Sequence, residues 1–480
     1  MSTAKFLSLV FGVLIAFSVL AYVWRPVAGP ADKVPLVWVS DNNPARAAQI
    51  KAFNEENPPL NLTLDYGNSG LQKIILQCAS GVGPDIFDYS SEDIETYVAA
   101  GVLMDVTDAA NKNGFSAKTD LWPSGLNTIT LNGRQYGYPC NIGANILIYN
   151  KNVFDYFGVP YPEGILTWDQ FLELAQKVST IANPQPGKRP VFGATGVGWR
   201  PIFESRHGEY FGEKGDLQIL NSQDLKIAFE MHKDYLFKYR IIASSVETKT
   251  MGSQGGWGGG NLNQFASGRF AMVLTGHWSL IAFNQAYKQS VDNLRARGIN
   301  PDEVTDPFER PLRIGAVLIP KFPDLPPNYR LNARVAGINS KSPRREEALA
   351  FLQYLAGPTY SRLLNEGTDW LPGNPKYSEL GVEPGPESLN RVALQNTTKE
   401  AVSYGYSMRV SPYLLTSDVS RVIAAQVSRL ESNPDISVES LLQSADTELK
   451  KLIRRNLDRN LELKKQYIQT LGEAAYQQLP

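Results

Sequence analysis

The chain has 480 residues, 43 % hydrophobic and 20 % charged, with a net charge of −1. That is the make-up of a folded protein long enough for two or three cores, and the balanced charge, without long runs of one sign, excludes a nucleic-acid footprint. Its two cysteines, Cys78 and Cys140, exclude a disulfide scaffold or a CxxC metal site and read as two buried thiols or as one bridge.

Residues 6–24 carry no charge, with Lys5 before them and Arg25 after. A helix rising ~1.5 Å per residue over this run would nearly cross a ~30 Å hydrocarbon core. The same stretch fits a cleaved signal peptide, with a short basic start and Val19-Leu20-Ala21 as a small-residue cleavage site. Either way residues 1–26 lie outside the fold, and the remainder is exported to the periplasm or cell surface, free or anchored at the inner membrane. No cysteine follows the apolar run, which excludes a lipoprotein anchor.

Residues 34–39 read as a buried strand, and Asp41-Asn42-Asn43-Pro44 opens a helix with Asn43 as cap and Pro44 at its first position. A second strand over 60–66, a helix capped by Ser69 and running to Ala79, a strand over 86–89 and a helix over 92–100 follow. Strand–helix alternation with short links predicts a parallel sheet covered by helices. In such sheets ligands bind beyond the carboxyl ends of the strands, which points at residues 41–43 and 89–91. Strands are predicted over 136–139 and 146–149, with 140–145 between them. Thr167-x-x-Gln170 is a capping box opening an amphipathic helix, and Trp168 reads as core. Further helices are predicted over 222–237, 277–288 and up to 355, strands over 313–318 and 334–339, and a strongly helical stretch beyond 435.

Four segments in this order are informative together: Gly-Val-Gly-Pro-Asp-Ile-Phe-Asp-Tyr at 81–89, Gly-Tyr-Pro at 137–139 followed by 145–154, Leu-Thr-Trp-Asp-Gln-Phe at 166–171, and Phe-Ala-Ser-Gly-Arg-Phe-Ala-Met at 265–272. The series resembles the large solute-binding proteins of bacterial ABC importers, the maltose-binding-protein-like family, from about residue 34 to about 415. The resemblance implies an α/β fold of two lobes in the periplasmic-binding-protein manner, each lobe a helix-flanked sheet, joined by a multi-crossing hinge. Lobe one would be 34–139 plus 338–380 and lobe two 140–337 plus 381–480, with the third crossing in the Gly- and Pro-rich run 371–386. Residues 461–480 extend past the usual family ending, as a solvated helix packed on lobe two.

Enzymatic motifs are absent: there is no GxSxG elbow, no GxxxxGK[S/T] loop and no HExxH. His207, His232 and His277 lack ligand spacing, so no metal or cofactor site is predicted. A pair of carboxylates for glycoside hydrolysis leaves no local pattern, and that reading stays open. Aromatic placement is the positive signal, because sugars stack their C–H faces on indoles while their hydroxyls need polar partners. Trp257 sits among glycines that let backbone approach a ligand. Trp278, just past the strand after 270, resembles the family's stacking tryptophan, and Trp370 sits where the family closes the cleft. Trp199 and Arg200 follow a glycine-rich loop and serve either ligand or packing. Asp41, Asn42 and Asn43 carry over from lobe one, although capping alone explains Asn43. Tyr89 and Ser90 end a strand at the cleft, whereas Asp85 reads as structural. Asn141 serves hinge or ligand, Arg334 and Arg200 pair with local acids or an acidic sugar, and Tyr413 matches a late lobe-two contact.

The resemblance implies a monomeric receptor that captures a carbohydrate and presents it to ABC permease membrane subunits, without chemistry. A ligand-sensing subunit of a membrane receptor and a glycan-degrading enzyme are the competing readings.

Overall fold

Two sheets, each taking strands from both halves of the chain, organise the fold. A computed structural model describes residues 11–16, 32–183, 191–251, 260–306 and 308–480. Most of the uncharged stretch 6–24 and the whole loop holding Trp257 lie outside them. The strands are β1 (Val34–Val39), β2 (Leu60–Asp65), β3 (Ile86–Ser90), a small hairpin of β4 (Thr130–Leu131) and β5 (Arg134–Gln135), then β6 (Tyr138–Ala144), β7 (Ile146–Asn150), β8 (Phe192–Thr195), β9 (Phe270–Thr275), β10 (Ile314–Val317), β11 (Tyr329–Ile338) and β12 (Gly405–Tyr406).

The first sheet runs β2-β1-β3-β11, with β6 and β12 also on β11. Its β2, β1 and β3 are parallel, and β11 returns antiparallel. The second sheet runs β10-β7-β9-β8, with only β8 and β9 parallel. Helices Ala45–Glu56, Arg345–Ala356 and Pro358–Glu366 cover one face of the first sheet around Trp38, Phe53, Phe351 and Tyr360; Ile74, Phe87 and Tyr97 fill the other. The second sheet lies in a larger core with Phe171, Phe229, Phe270 and Phe283. This is the two-lobed α/β architecture.

Two strands pass from one core to the other. Tyr138 and Cys140 of β6 are buried in the first core and Ile142 and Ala144 in the second; on β11, Leu331 is in the second and Ile338 in the first. They pair antiparallel, from Leu331↔Ala144 to Ala336↔Tyr138. This pairing turns 140–144, expected as a link, into strand: a partner 190 residues on is invisible to local pattern. A third passage separates Leu364 in the first core from Leu371 in the second, where Leu371 and Ile142 exchange backbone hydrogen bonds of 2.9 and 3.0 Å.

Other local expectations shift slightly. The first helix starts at Ala45, one residue late, with the Asn43 side chain accepting from the Ala45 amide at 3.0 Å. The next starts at Leu71 without help from Ser69, because Gly70 at φ 117° turns the chain in. The Thr167–Gln170 capping box is present, and Trp168 is buried with its Nε1 donating to Ser205 Oγ at 2.8 Å. Asp85 is structural: its carboxylate accepts from the Val37 amide, Ser342 Oγ and Arg344 Nη1 at 3.0, 2.6 and 3.1 Å. Cys78 and Cys140 are buried free thiols. Helices Leu461–Leu471 and Glu473–Gln477 pack on the second core through Tyr467, Tyr476 and Leu479. Among the described residues no helix is long and apolar enough to cross a membrane.

Candidate ligand-binding cleft

Beyond the carboxyl ends of β1 and β3 lies a cavity of about 400 Å³, lined from both halves of the molecule. Its floor is an ion-pair network. Arg46, in the first turn after the Asp41-Asn42-Asn43 loop, is 1 % exposed and donates to Asp41 at 2.8 Å, Asp369 at 2.7 Å and Gln49 at 2.8 Å. Arg334 of β11 donates through Nη1 to Asp88 at 2.6 Å and Ser40 Oγ at 2.7 Å. Asp88 is further held by Trp38 Nε1 at 2.7 Å and by Ser40 Oγ at 2.5 Å. Both guanidiniums also lie near the Trp38 ring, 5.9 Å from its centre for Arg46 and 5.8 Å for Arg334. Asn141 Nδ2 donates to Asp369 at 3.2 Å and joins the third passage to β6.

The network leaves two donors of Arg334 unbonded. Arg334 Nε and Nη2 are buried without a hydrogen bond, 3.8 Å from Asp41 and 3.6 Å from Asp369. Such donors cost ~1–3 kcal/mol each unless something accepts from them. Burial works to raise the Asp41 carboxyl, but Arg334 and Arg46 outweigh it and hold the group below its ordinary value. Asp41 stays ionised, and its side chain is 41 % exposed at the cavity rim.

Two indoles form the wall. Trp278 stands in the turn His277–Ser279, just past β9. Trp370 has a left-handed backbone, φ 65°, strained for so large a residue. Its ring occupies a notch that glycines leave: a Cβ on Gly143 of β6 or on Gly276 would overlap it. Behind Trp278, His277 is fully buried with neither ring nitrogen bonded, and burial pushes its imidazole down to about 3.

Thus Asp41, Ser90, Asn141, Trp278, Arg334 and Trp370 meet in one cavity. Other candidates go elsewhere. Asn42 is exposed beside Asp41, outside the lining, and Asn43 is buried, its side chain accepting from the Ala45 amide ahead of the helix. Tyr89 turns to the opposite face of β3, 4 % exposed, against Phe87 and Tyr97. Trp199 and Arg200 border a separate cavity with His232 and Glu431; Trp199 packs on Phe203 and Phe229, and Arg200 lies over its ring at 5.5 Å. Tyr413 is 1 % exposed, edge-on to Tyr467 at 4.8 Å. Sequence reasoning missed Arg46, Asp88, Asp369, Glu92 and Arg330. Strand alternation could have found Asp88, since a core Tyr89 puts its neighbour on the cleft side.

A two-lobed fold with its cavity at the sheet ends between cores is the architecture of a binding protein. Residues 39–361 match the family described as bacterial extracellular solute-binding protein, and the chain belongs to that family. A putative binding protein of Brucella abortus is 25 % identical over 37 % of this chain and 42 % of its own. A maltooligosaccharide ABC transporter solute-binding lipoprotein of Streptococcus pneumoniae is 25 % identical over 52 % of this chain and 56 % of its own. The chain thus spans about half the length of the curated relatives it matches. Among solved structures, an ABC substrate-binding protein from Listeria monocytogenes in complex with cycloalternan superposes with TM-score 0.69, at 20 % identity, over 88 % of this chain and 99 % of that one. The maltotriose-binding protein of Thermus thermophilus, bound with maltotriose, gives 0.64 at 19 % identity, over 88 % and 100 %.

Proposed function

We propose that this chain is the substrate-binding component of an ABC importer, taking a neutral carbohydrate in the cleft and presenting it to membrane permease subunits. The observation that carries this reading is the pairing of two indoles, Trp278 and Trp370, with the unbonded donors of Arg334 and the rim carboxylate of Asp41 around one cavity. A sugar hydroxyl can accept from Arg334 and donate to Asp41 at once; a carboxylate or phosphate can only accept. Three floor carboxylates, Asp41, Asp88 and Asp369, already face the two guanidiniums of Arg46 and Arg334, which disfavours an acidic sugar. The proteins named above as maltooligosaccharide- and maltotriose-binding, and the one in complex with cycloalternan, support a sugar.

On this reading the lobes divide near the bounds the sequence resemblance implies, 34–139 with 338–380 and 140–337 with 381–480. The exception is the third crossing, which comes earlier than the run 371–386, between Leu364 of the first core and Leu371 of the second. They close by hinge motion at β6, β11 and the third passage, burying the ligand and shifting an open–closed equilibrium. The protein does no chemistry and works as a monomer. Residues 6–24 are an export signal or a tether that concentrates it near the permease.

A thermal-shift screen of the full chain against neutral sugars, acidic sugars, polyols and sugar phosphates tests this. A ligand at a hundred times its dissociation constant adds ~2.7 kcal/mol of stability. A neutral sugar should raise the melting temperature; a shift only with anionic solutes, or with none, would overturn the assignment.

A further inference from the structure

Arg330 stands where the two halves of the cleft meet, and sugar binding as proposed leaves it unused. Its backbone belongs to the second core: Tyr329 and Leu331 on either side are buried there, and Arg330 pairs with Tyr406 of β12. Its side chain reaches the other way, with Nη2 in contact with Glu92, in the turn Ser91–Asp93 that leaves β3 of the first sheet. Nη1 lies 3.6 Å from Glu204, on the helix Trp199–Ser205 of the second half. All three side chains are mostly buried: 16 % exposed for Arg330, 20 % for Glu92 and 12 % for Glu204. Burial disfavours the charge on Arg330. It also pushes the Glu204 carboxyl up to about 8, with Arg200 opposing. One guanidinium therefore has two carboxyl groups near it, Glu92 in contact across the cleft and Glu204 on its own side beyond hydrogen-bonding distance.

We infer that Arg330 is a positioning residue that exchanges carboxylate partners as the lobes move, Glu92 when the cleft is shut and Glu204 when it opens. The inference rests on the lobe-closure reading above. A buried guanidinium that lost Glu92 with no replacement would oppose opening strongly, because an unpaired buried charge is costly. With Glu204 waiting on the same side, opening trades Glu92 for Glu204, which gives up its proton to solvent as the guanidinium moves onto it. The two acids then pull one equilibrium in opposite directions. Arg330 and Glu92 also line the cavity, so a bound ligand meets the closed pair directly.

Hydrogen exchange of the full, ligand-free chain, followed by mass spectrometry, tests this in Glu92→Gln, Glu204→Gln and the double variant. Both changes keep size; E92Q removes the charge paired with Arg330 in the shut form, and E204Q removes the carboxyl that would ionise against Arg330 on opening. Amides of peptides 89–93 and 276–280, at the two cleft walls, should exchange about tenfold faster in E92Q than in E204Q, a difference of about 1.4 kcal/mol in the opening equilibrium, with the double variant between them. A purely structural role would speed exchange in both variants and in the core strand β7 alike. Equal rates in the two variants, or the reverse order, would overturn the inference. If one variant fails to fold, the other keeps its sign relative to the parent: E92Q faster, E204Q no faster. No sugar enters the measurement, so a failed ligand screen and a failed partner exchange remain separate results.

Discussion

The two walls of the cleft are built on opposite principles. The wall from the first sheet is polar and crosslinked: Arg46, Arg334, Asp88 and Asp369 are held by several short bonds each and have little freedom. The opposite wall offers flat indole faces, with Trp278 half-buried and Trp370 seated against glycines. A polar network set in advance loses little entropy on binding and fixes which hydroxyls are read, while an aromatic face contributes area without demanding one orientation. The first wall should therefore set specificity and the second affinity.

Breaking the polar wall should have the largest effect. Arg334→Met leaves Asp88 buried without its cation, so we expect a loss of ~3–5 kcal/mol in folding stability, measured by urea denaturation, together with loss of ligand binding. Arg334→Lys, which retains charge but not the open fork, should recover most stability while leaving affinity low by calorimetry. A variant that recovers both would show that the fork is not read by the ligand.

Trp278→Ala probes the aromatic wall. Calorimetry should give ~2 kcal/mol of lost affinity with the ranking of sugars unchanged. A changed ranking would move specificity to this wall and collapse the comparison. Gly143→Ala tests the notch, since the added methyl must displace Trp370; we expect ~1–3 kcal/mol of destabilisation and weaker binding. Unaltered binding would mean the indole has another place to sit.

Acid–base behaviour separates the walls further. Glu204 keeps its proton up to about 8 in the folded chain, whereas an unfolded glutamate loses it near 4.5. Between those values only the folded state holds the proton, so stability falls as pH rises from 4.5 towards 8 and then levels. Melting temperatures of Glu204→Gln should lack that slope, and an identical slope in both proteins would rule Glu204 out as its source. The smallest effect belongs to Tyr413→Phe: with the ring in the second core, sugar binding should be unchanged and stability should move by no more than ~0.5 kcal/mol.

Much of the fold was legible because its signals are local. The apolar run 34–39, the Thr167–Gln170 box and the buried Trp168 are decided by a few neighbours and by periodicity. Trp278 was legible for a related reason, since it follows a strand end that can be read along the chain, whereas Trp370 was singled out by the family resemblance. Tyr89 shows where that stops. One residue of register separates a cleft residue from a core residue on a strand, and it was Asp88 that faced the floor.

By itself, then, the sequence determined the elements and which aromatic residues stood at loop positions, since spacing and composition act over short range, while the two-lobed class came from the resemblance of its four ordered segments to a known family. Tertiary structure alone decided the polar floor. Arg46 meets Asp369 across 323 positions and Arg334 meets Asp88 across 246, and no pattern along the chain marks either pair. Their partnership exists only because β1, β3 and β11 lie side by side, and burial there makes each charge depend on the next.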